Sequence, residues 1–451
     1  MARSSEGMVE GILESLKWLG LNLDEGPYFQ SQRLGLYPKE AEKLLEKGRA
    51  YHCYCTPEEL SKRKEEVVRK GIPWKYDRRC LSLTKEEREG LEERGTPKAL
   101  RFMVPEGKTS YEDGVHGRIE RENVEIEDFI LLRSDPAVGR ASEERGLAGR
   151  PTYNFACVVD DAEMRITHVI RGDDHISNTF KQILLYKALE IKPPEFLHLP
   201  LILGEDRSKL SKRHGAISVT DYRDQGYLPD AFFNFLVLLG WSPGEEKEFL
   251  TREELIEIFS FERVRDSSAI FDVKKLDWMN GQYINQLEDE ALLEAVLPYL
   301  KKAGLVDEGL LATRRQWLLQ VLNLLKERAK RLTDFVRLGE YFFIDEVEYD
   351  LKAVKKHFGE NGVGKRLQAL RDTLAELEDF SLSSVETALR GLADQLGVSA
   401  SKLIHPIRVA LTGQQVGPSL FELVDLMGKE RTITRLTHAI RFIEKESSPP
   451  K

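Results

Sequence analysis

Near Asn285 the sequence changes texture, and that change restricts the architectures open to it more than any other property. Before it, short β-branched runs alternate with helical stretches; beyond it, long amphipathic helices follow one another without strand signals. Leu318, Val321, Leu322 and Leu325 form one apolar stripe. Val385, Leu389, Leu392 and Leu396 form another, opened by Ser383 with Glu386 three residues on and closed by Gly397. One chain therefore carries an α/β part and an all-α part, and its 451 residues allow about three domains.

In the α/β part, Leu100–Val104 and Phe129–Leu132 read as strands. So do Phe155–Val159 and Ile166–Ile170, separated by a polar turn at Asp160–Glu163. The last run leads through Arg171–His175 into a helix with Ser177, Asn178 and Thr179 as cap candidates and Ile183, Leu184 and Tyr186 within it. Such junctions belong to buried parallel sheets, whose ligands sit at the carboxyl ends of strands beside helix N-termini. At the start of the chain, Ser4 or Ser5 can cap a helix bearing Val9, Ile12, Leu13 and Leu16, with Gly20 ending it.

A content of 32% charged and 41% hydrophobic residues fits a globular chain. The formal charge of −9 argues against a sequence-blind nucleic-acid binder coated in Lys and Arg. Locally, residues 61–80 hold eight basic and three acidic side chains, a net of +5, which is either a solvated face or a track for nucleic acid. The longest apolar run, Phe235–Trp241, is far short of the ~18 residues that span a bilayer. Four cysteines are too few for a disulfide framework. Ser208–Gly215 packs three cations and two hydroxyls into a loop; it suits a polyphosphate, whose developing charge needs preplaced cations, or is simply solvated.

Within that loop, Lys209-Leu210-Ser211-Lys212-Arg213 resembles the KMSKS signature of class I aminoacyl-tRNA synthetases in the form typical of glutamyl-tRNA synthetases. Leu19–Tyr28, Tyr153–Ala156, Thr167–His175 and Leu238–Ser242 also resemble segments of that family. Ile407–Gly413 followed by Gly428–Arg431 resembles its anticodon-binding domain. The likeness runs along nearly the whole chain.

The resemblance implies a class I Rossmann-type nucleotide fold with an α+β insertion, followed by a helical anticodon-binding domain. It implies a glutamate–tRNA ligase that uses ATP with Mg²⁺ to form glutamyl-adenylate and passes the glutamyl group to the terminal adenosine of tRNA(Glu). Lys212, helped by Lys209 and Ser211, would meet the ATP phosphates, while His175, Leu201 and Ile202 would lie near the adenine. Arg171 would hold the substrate side-chain carboxylate, unless it is an ordinary salt-bridge partner of Asp173 or Asp174. Tyr153 would close the amino-acid pocket, or be a core ring, and Cys157 would pack on the same substrate-binding strand.

Residues 1–48 and 151–202 would form the two parts of the nucleotide fold, 49–150 the acceptor-binding insertion and 203–285 the stem-contact region. Residues 286–355 and 356–451 would be two helical anticodon subdomains. Residues 61–80, with Lys326, Arg328, Lys330, Arg331 and Arg337, would supply basic surface for tRNA. Charging of tRNA(Gln) is left open. A monomer in the cytoplasm is expected, with an organellar matrix as the other location.

Two departures from the family pattern carry expectations of their own. The Pro-Ser-Pro-Thr-Gly turn, the His-Ile-Gly-His signature and the acidic Glu-Asp-Thr-Asp stretch are not in this sequence. The resemblance therefore implies a nucleotide fold incomplete at its N-terminus and a chain poorly active as written, with a noncatalytic tRNA-binding protein as the alternative. Residues 136–150 form an insertion beside the pocket entrance, expected as a surface loop. Cys53, Cys55 and Cys80 lie where some relatives bind zinc, with Tyr76 or His52 as the fourth ligand and Ser82 where a histidine could have completed the set; plain thiols are the other reading.

Overall fold

Strand pairing needs partners brought from far along the chain, and among the described residues it is confined to one of two units. The structure is a computed structural model that describes residues 6–71, 74–134, 149–211, 218–244 and 247–447. Ser4, Ser5, Lys212 and residues 136–148 of the expected insertion lie outside them. One unit comprises Asn22–Ser211 and Val237–Phe271, and the other Met1–Leu21, Lys212–Leu236 and Asp272–Lys451. No helix among the described residues is long and apolar enough to cross a membrane.

The first unit contains β1 (Ala50–Cys53), β2 (Ala99–Phe102), β3 (Lys108–Asp113), β4 (Gly117–Glu122), β5 (Phe129–Leu132), β6 (His168–Gly172) and β7 (Glu195–Leu199). One sheet has the order β1-β2-β5 and is antiparallel, with Cys53 opposite Ala99. The other has the order β4-β3-β7-β6. In it β7 pairs in parallel with both β3 and β6, while β3 and β4 form an antiparallel hairpin. The helix Ile176–Leu189 crosses from β6 to β7 and buries Phe180, Ile183, Leu184 and Leu185 against Tyr111 and Phe196. Short helices around these sheets start on capping boxes, Thr56 with Glu59 and Thr84 with Glu87, which satisfy the first free backbone N–H groups.

The expected strand Phe155–Val159 is instead part of a helix, Tyr153–Glu163. Phe155, Ala156, Val158 and Val159 are all buried, and their spacing of one, three and four wraps a single helical face rather than alternating across a sheet. Ser177, Asn178 and Thr179 are not caps. The backbone turns through a 3-10 segment, Asp173–His175, and the helix starts at Ile176 with His175 as its cap. Ser381, braced by Asp379 and Ser384, takes the N-cap position that Ser383 was expected to hold, so the helix there runs Leu382–Gln395.

From Val273 onward the second unit is helical, as the apolar stripes require. Leu318, Val321, Leu322 and Leu325 are buried in one core with Val385, Leu389 and Leu392. Arg435 is buried among them and donates to the carbonyls of Leu411, Tyr341 and Ile344, occupying acceptors left free where the chain leaves helices. Gly413, at φ +75°, ends the helix Ser401–Thr412 hard against the Glu348 carbonyl; Gly397, at φ +64°, has open space around it. Gly397→Ala should cost about 1 kcal/mol, the strain of a left-handed alanine. Gly413→Ala should cost about 3 kcal/mol or more, because a backbone carbonyl must also move. Urea unfolding of the two variants checks the order, and equal losses would contradict it.

Candidate active site

The carboxyl end of β6 is where the candidate residues converge. Arg171 lies in register opposite His198 of β7, so both side chains leave the sheet on the same face. Its guanidinium is held by neutral acceptors: Nε donates to His198 Nε2 (3.3 Å), and Nη2 to Thr179 Oγ1 (2.6 Å) and Gln182 Oε1 (2.8 Å). The two acids that could have neutralised it are engaged elsewhere. Asp173 pairs with His116 Nε2 at 2.8 Å, and Asp174 with Lys209 Nζ at 2.8 Å. The salt-bridge reading of Arg171 is therefore replaced by a cation on an uncharged cradle. Asp161 is the acid that senses its charge: burial raises that carboxyl and Arg171 draws it back.

Tyr153 opens its helix half exposed, so it is not a core ring. Its hydroxyl lies 3.3 Å from His175 Nδ1, and it also interacts with Cys157 and Arg171. Because the segment is a helix, Tyr153 and Cys157 are one turn apart on one face, about 6 Å along its axis, where a strand would set them about 13 Å apart. Burial first, and then the charge of Asp161, push the Cys157 thiol up to about 11.

Beyond β7 the chain passes Leu201 and Ile202, both half-buried, and doubles back. Leu203 bridges Lys209, and Leu210 N–H donates to Ile202 O at 3.0 Å. The turn between them closes with Gly204 N–H to Ser208 O at 2.9 Å, with Arg207 at φ +59°. This small hairpin fixes Lys209 against Asp174, three positions from Arg171, and Leu201 reaches Gly172. Ser211 follows half-buried, and Lys212 lies outside the described residues. Tyr153, Cys157, Arg171, His175, Leu201 and Lys209 thus surround one strand end, where a cationic group, an aromatic hydroxyl and an ammonium can meet an anionic substrate.

A second cluster lies in the three-stranded sheet. Cys55 Sγ is 3.5 Å from Cys80 Sγ, and the Tyr76 hydroxyl is 3.3 Å from Cys53 Sγ and 3.6 Å from Cys55 Sγ. The ligand atoms of Cys53, Cys55 and Cys80 all lie within 4.8 Å of one another. His52 falls on the other face of β1, toward Lys98, Glu92 and Arg88, where burial lowers it to about 4. Of the two candidate fourth ligands, the structure brings only Tyr76 to the thiols. Among the basic residues singled out in the helical unit, Arg331 is bound to Asp277 at 2.7 Å, Lys326 to the Leu287 carbonyl and Arg337 to Asp334 at 3.3 Å.

Sequence reasoning missed Asp113, His116, Thr179, Gln182 and His198. The one available signal was His198 itself, a polar residue between Leu197 and Leu199 in an apolar strand.

Parallel strands, a Lys209-bearing hairpin at their carboxyl end and a separate helical unit are the parts of a class I aminoacyl-tRNA synthetase. Residues 1–278 match the family described as tRNA synthetases class I (E and Q), catalytic domain, and residues 291–440 match the anticodon binding domain. A glutamate–tRNA ligase of Caldanaerobacter subterraneus subsp. tengcongensis is 44% identical over 446 residues, 99% of this chain and 89% of that protein. One from Moorella thermoacetica is 44% identical over 452 residues, 98% of this chain and 90% of that protein. The crystal structure of a glutamate tRNA ligase from Elizabethkingia meningosepticum, in complex with its amino acid, matches with a TM-score of 0.84 at 32% identity, covering 98% of this chain and 91% of that one. The chain belongs to the glutamate–tRNA ligase family.

The half-buried thiol beside Arg171 gives a direct check on its surroundings. Because burial disfavours the thiolate, Cys157 at pH 8 should react with iodoacetamide about tenfold or more slowly than an ordinary free thiol, and its rate should climb as pH rises through about 10 to 11. Peptide mass spectrometry of timed samples measures it; an ordinary rate at pH 8 would contradict that raised thiol.

Proposed function

We propose that this chain is a glutamate–tRNA ligase whose amino-acid site is the face of β6 bearing Arg171. The observation that carries the reading is the Arg171 guanidinium, held in place by neutral hydrogen-bond partners while Asp173 is bound to His116 and Asp174 to Lys209. A half-buried cation that no carboxylate among the described residues hydrogen-bonds attracts one from solution. With Nε and Nη2 already donating, the substrate carboxylate would meet Nη1, with the Tyr153 hydroxyl beside it; the neutral amide of glutamine would forgo the charge.

In the first step an α-carboxylate oxygen of glutamate attacks the α-phosphorus of ATP, forming the acyl–phosphate bond as pyrophosphate leaves. In the second a ribose hydroxyl of the tRNA's terminal adenosine attacks the acyl carbon and AMP departs. Lys209 and Lys212 would stabilise charge growing on the phosphates, with Ser211 beside them and Mg²⁺ accompanying the nucleotide. His175, Leu201 and Ile202 would border the adenine. We assign residues 49–150 to the acceptor end and residues 286–451 to the anticodon. The substrate is tRNA(Glu), with tRNA(Gln) as the second acceptor to be tried; a cytoplasmic monomer completes the reading.

Cys53, Cys55, Cys80 and Tyr76 fit a structural zinc ion. Tetrahedral zinc with bonds of about 2.3 Å to sulfur needs donors about 3.8 Å apart, and the observed separations of 3.3–3.6 Å lie near that edge length. The ion would fasten the loop carrying Tyr76 and Cys80 to β1.

Equilibrium glutamate binding should exceed glutamine binding about tenfold or more, the worth of one charged hydrogen bond. Arg171→Ala should abolish that preference, and an unchanged preference would overturn the assignment. Pyrophosphate exchange that requires glutamate supports the ligase, whereas tRNA binding with no exchange would favour a noncatalytic binder. Metal analysis of protein purified without added zinc should find about one equivalent, lost in Cys53→Ser; metal-free protein with an intact fold would remove the zinc assignment.

A further inference from the structure

Two side chains with no part in the chemistry above form the most deeply buried ionisable pair at the site. Asp113, the last residue of β3, and His198, on β7, are both fully buried and stand 85 positions apart in sequence. His198 Nδ1 lies 2.6 Å from Asp113 Oδ2. The other carboxylate oxygen accepts the backbone N–H groups of Val115 (3.0 Å), His116 (3.1 Å) and His198 (3.3 Å). On the far side of the ring, Nε2 faces Arg171 Nε at 3.3 Å and Thr179 Oγ1 at 2.9 Å.

We propose that Asp113 and His198 are positioning residues for the substrate-binding arginine: Asp113 fixes the histidine tautomer so that Nε2 accepts from Arg171 and holds the guanidinium in its binding pose. The inference rests on the reading of Arg171 as the acid-binding cation. Its logic is one of proton placement. A carboxylate at Nδ1 keeps the imidazole proton there, which leaves a lone pair at Nε2. Arg171 can only donate, so a proton at Nε2 would set N–H against N–H and turn the guanidinium away.

The surroundings support these protonation states. Burial works against charge on Asp113, but His198 and the three backbone N–H groups outweigh it and hold the carboxyl below its ordinary range. Burial lowers the basicity of His198 and outweighs the opposing pull of Asp113, so the net direction disfavours a second proton on the ring. The same β3–β4 turn contributes His116, which binds Asp173 at 2.8 Å and so withholds an acid from Arg171. Thr179 and Gln182, on the helix after β6, complete the grip on Nη2.

The test uses the whole chain and two readouts. The first is the Arg171 Nε–H resonance in a ¹⁵N spectrum, identified by its loss in Arg171→Ala, with its solvent exchange rate. The second is the glutamate dissociation constant by calorimetry. Asp113→Asn keeps the shape and an oxygen for the backbone, but its amide presents hydrogens to Nδ1 and drives the ring proton to Nε2. It should speed Nε–H exchange about tenfold or more and weaken glutamate binding about ten- to hundredfold. His198→Gln, whose amide oxygen can stand where Nε2 accepts, should bind glutamate within about fivefold of the parent, while His198→Leu should lose binding as Asp113→Asn does. An Asp113→Asn variant with unaltered Nε–H exchange and glutamate affinity would overturn the inference. If Arg171→Ala leaves glutamate binding unchanged, the substrate role of Arg171 fails, and the exchange rate still decides whether Asp113 holds it. Should Asp113→Asn not fold, the contrast between His198→Gln and His198→Leu decides: equal glutamate affinity in those two would overturn the inference.

Discussion

An arginine whose charge is not cancelled by the protein has to be held by something other than a carboxylate, and the site is arranged around that requirement. The ladder between β6 and β7 sets Arg171 beside His198, and the crossing helix sets Thr179 and Gln182 where Nη2 can donate. Neutral hydrogen bonds orient the guanidinium while leaving its field in place, so a carboxylate meets an uncompensated cation in a partly dry setting. A salt bridge would have oriented it equally well and cancelled the attraction. Asp173 and Asp174, the acids next to it in sequence, are accordingly bound away, by His116 and by Lys209, and Asp161 acts on it only through its field. The second pairing has its own consequence. It ties Lys209 to the strand end that bears Arg171, so on the proposed reading the phosphate-facing lysine and the amino-acid site would share one junction.

Much of this was legible in the residues, and the failures have physical causes. The passage from mixed to all-helical structure follows from periodicity alone, because stripes such as Leu318, Val321, Leu322 and Leu325 can be buried only on a helix. Arg171 at a strand end followed from the same patterning with the turn after it. The segment Phe155–Val159 misled because a short apolar run rich in β-branched residues suits a buried strand or a buried helix equally. Its neighbours decided the matter: Thr152 is extended and bound to the Ile130 carbonyl, and the helix begins directly after it. The pairing of Asp113 with His198 was beyond reach, although His198 stood out as a polar residue in an apolar run. Their meaning comes from a parallel pairing between β3 and β7 that no local pattern announces. Chemistry built across a ladder is visible only after the register is known.

The thiol cluster extends the same reasoning to the three-stranded sheet. Three short strands are near the lower limit for an independently stable sheet, and the cluster packed on this one is poor in aliphatic side chains: Tyr51, Cys53, Tyr54, Tyr76 and Cys80 form its buried part. Polar bracing makes up the difference. Asp128, buried, accepts from Tyr51, Arg78 and the Val104 N–H, while Arg101 donates to its carbonyl and lies 3.9 Å over the Tyr76 ring. Tyr76 therefore joins two devices, one face stacked on Arg101 and its hydroxyl among the thiols. A metal ion drawn into the thiols would clamp the ring that the arginine already holds. The stretch rich in Lys and Arg between β1 and Cys80, which includes the helix Pro57–Arg69, would then be fixed at both ends. Fixing matters most there, since a stretch with a net charge of +5 repels itself and contributes little hydrophobic core of its own.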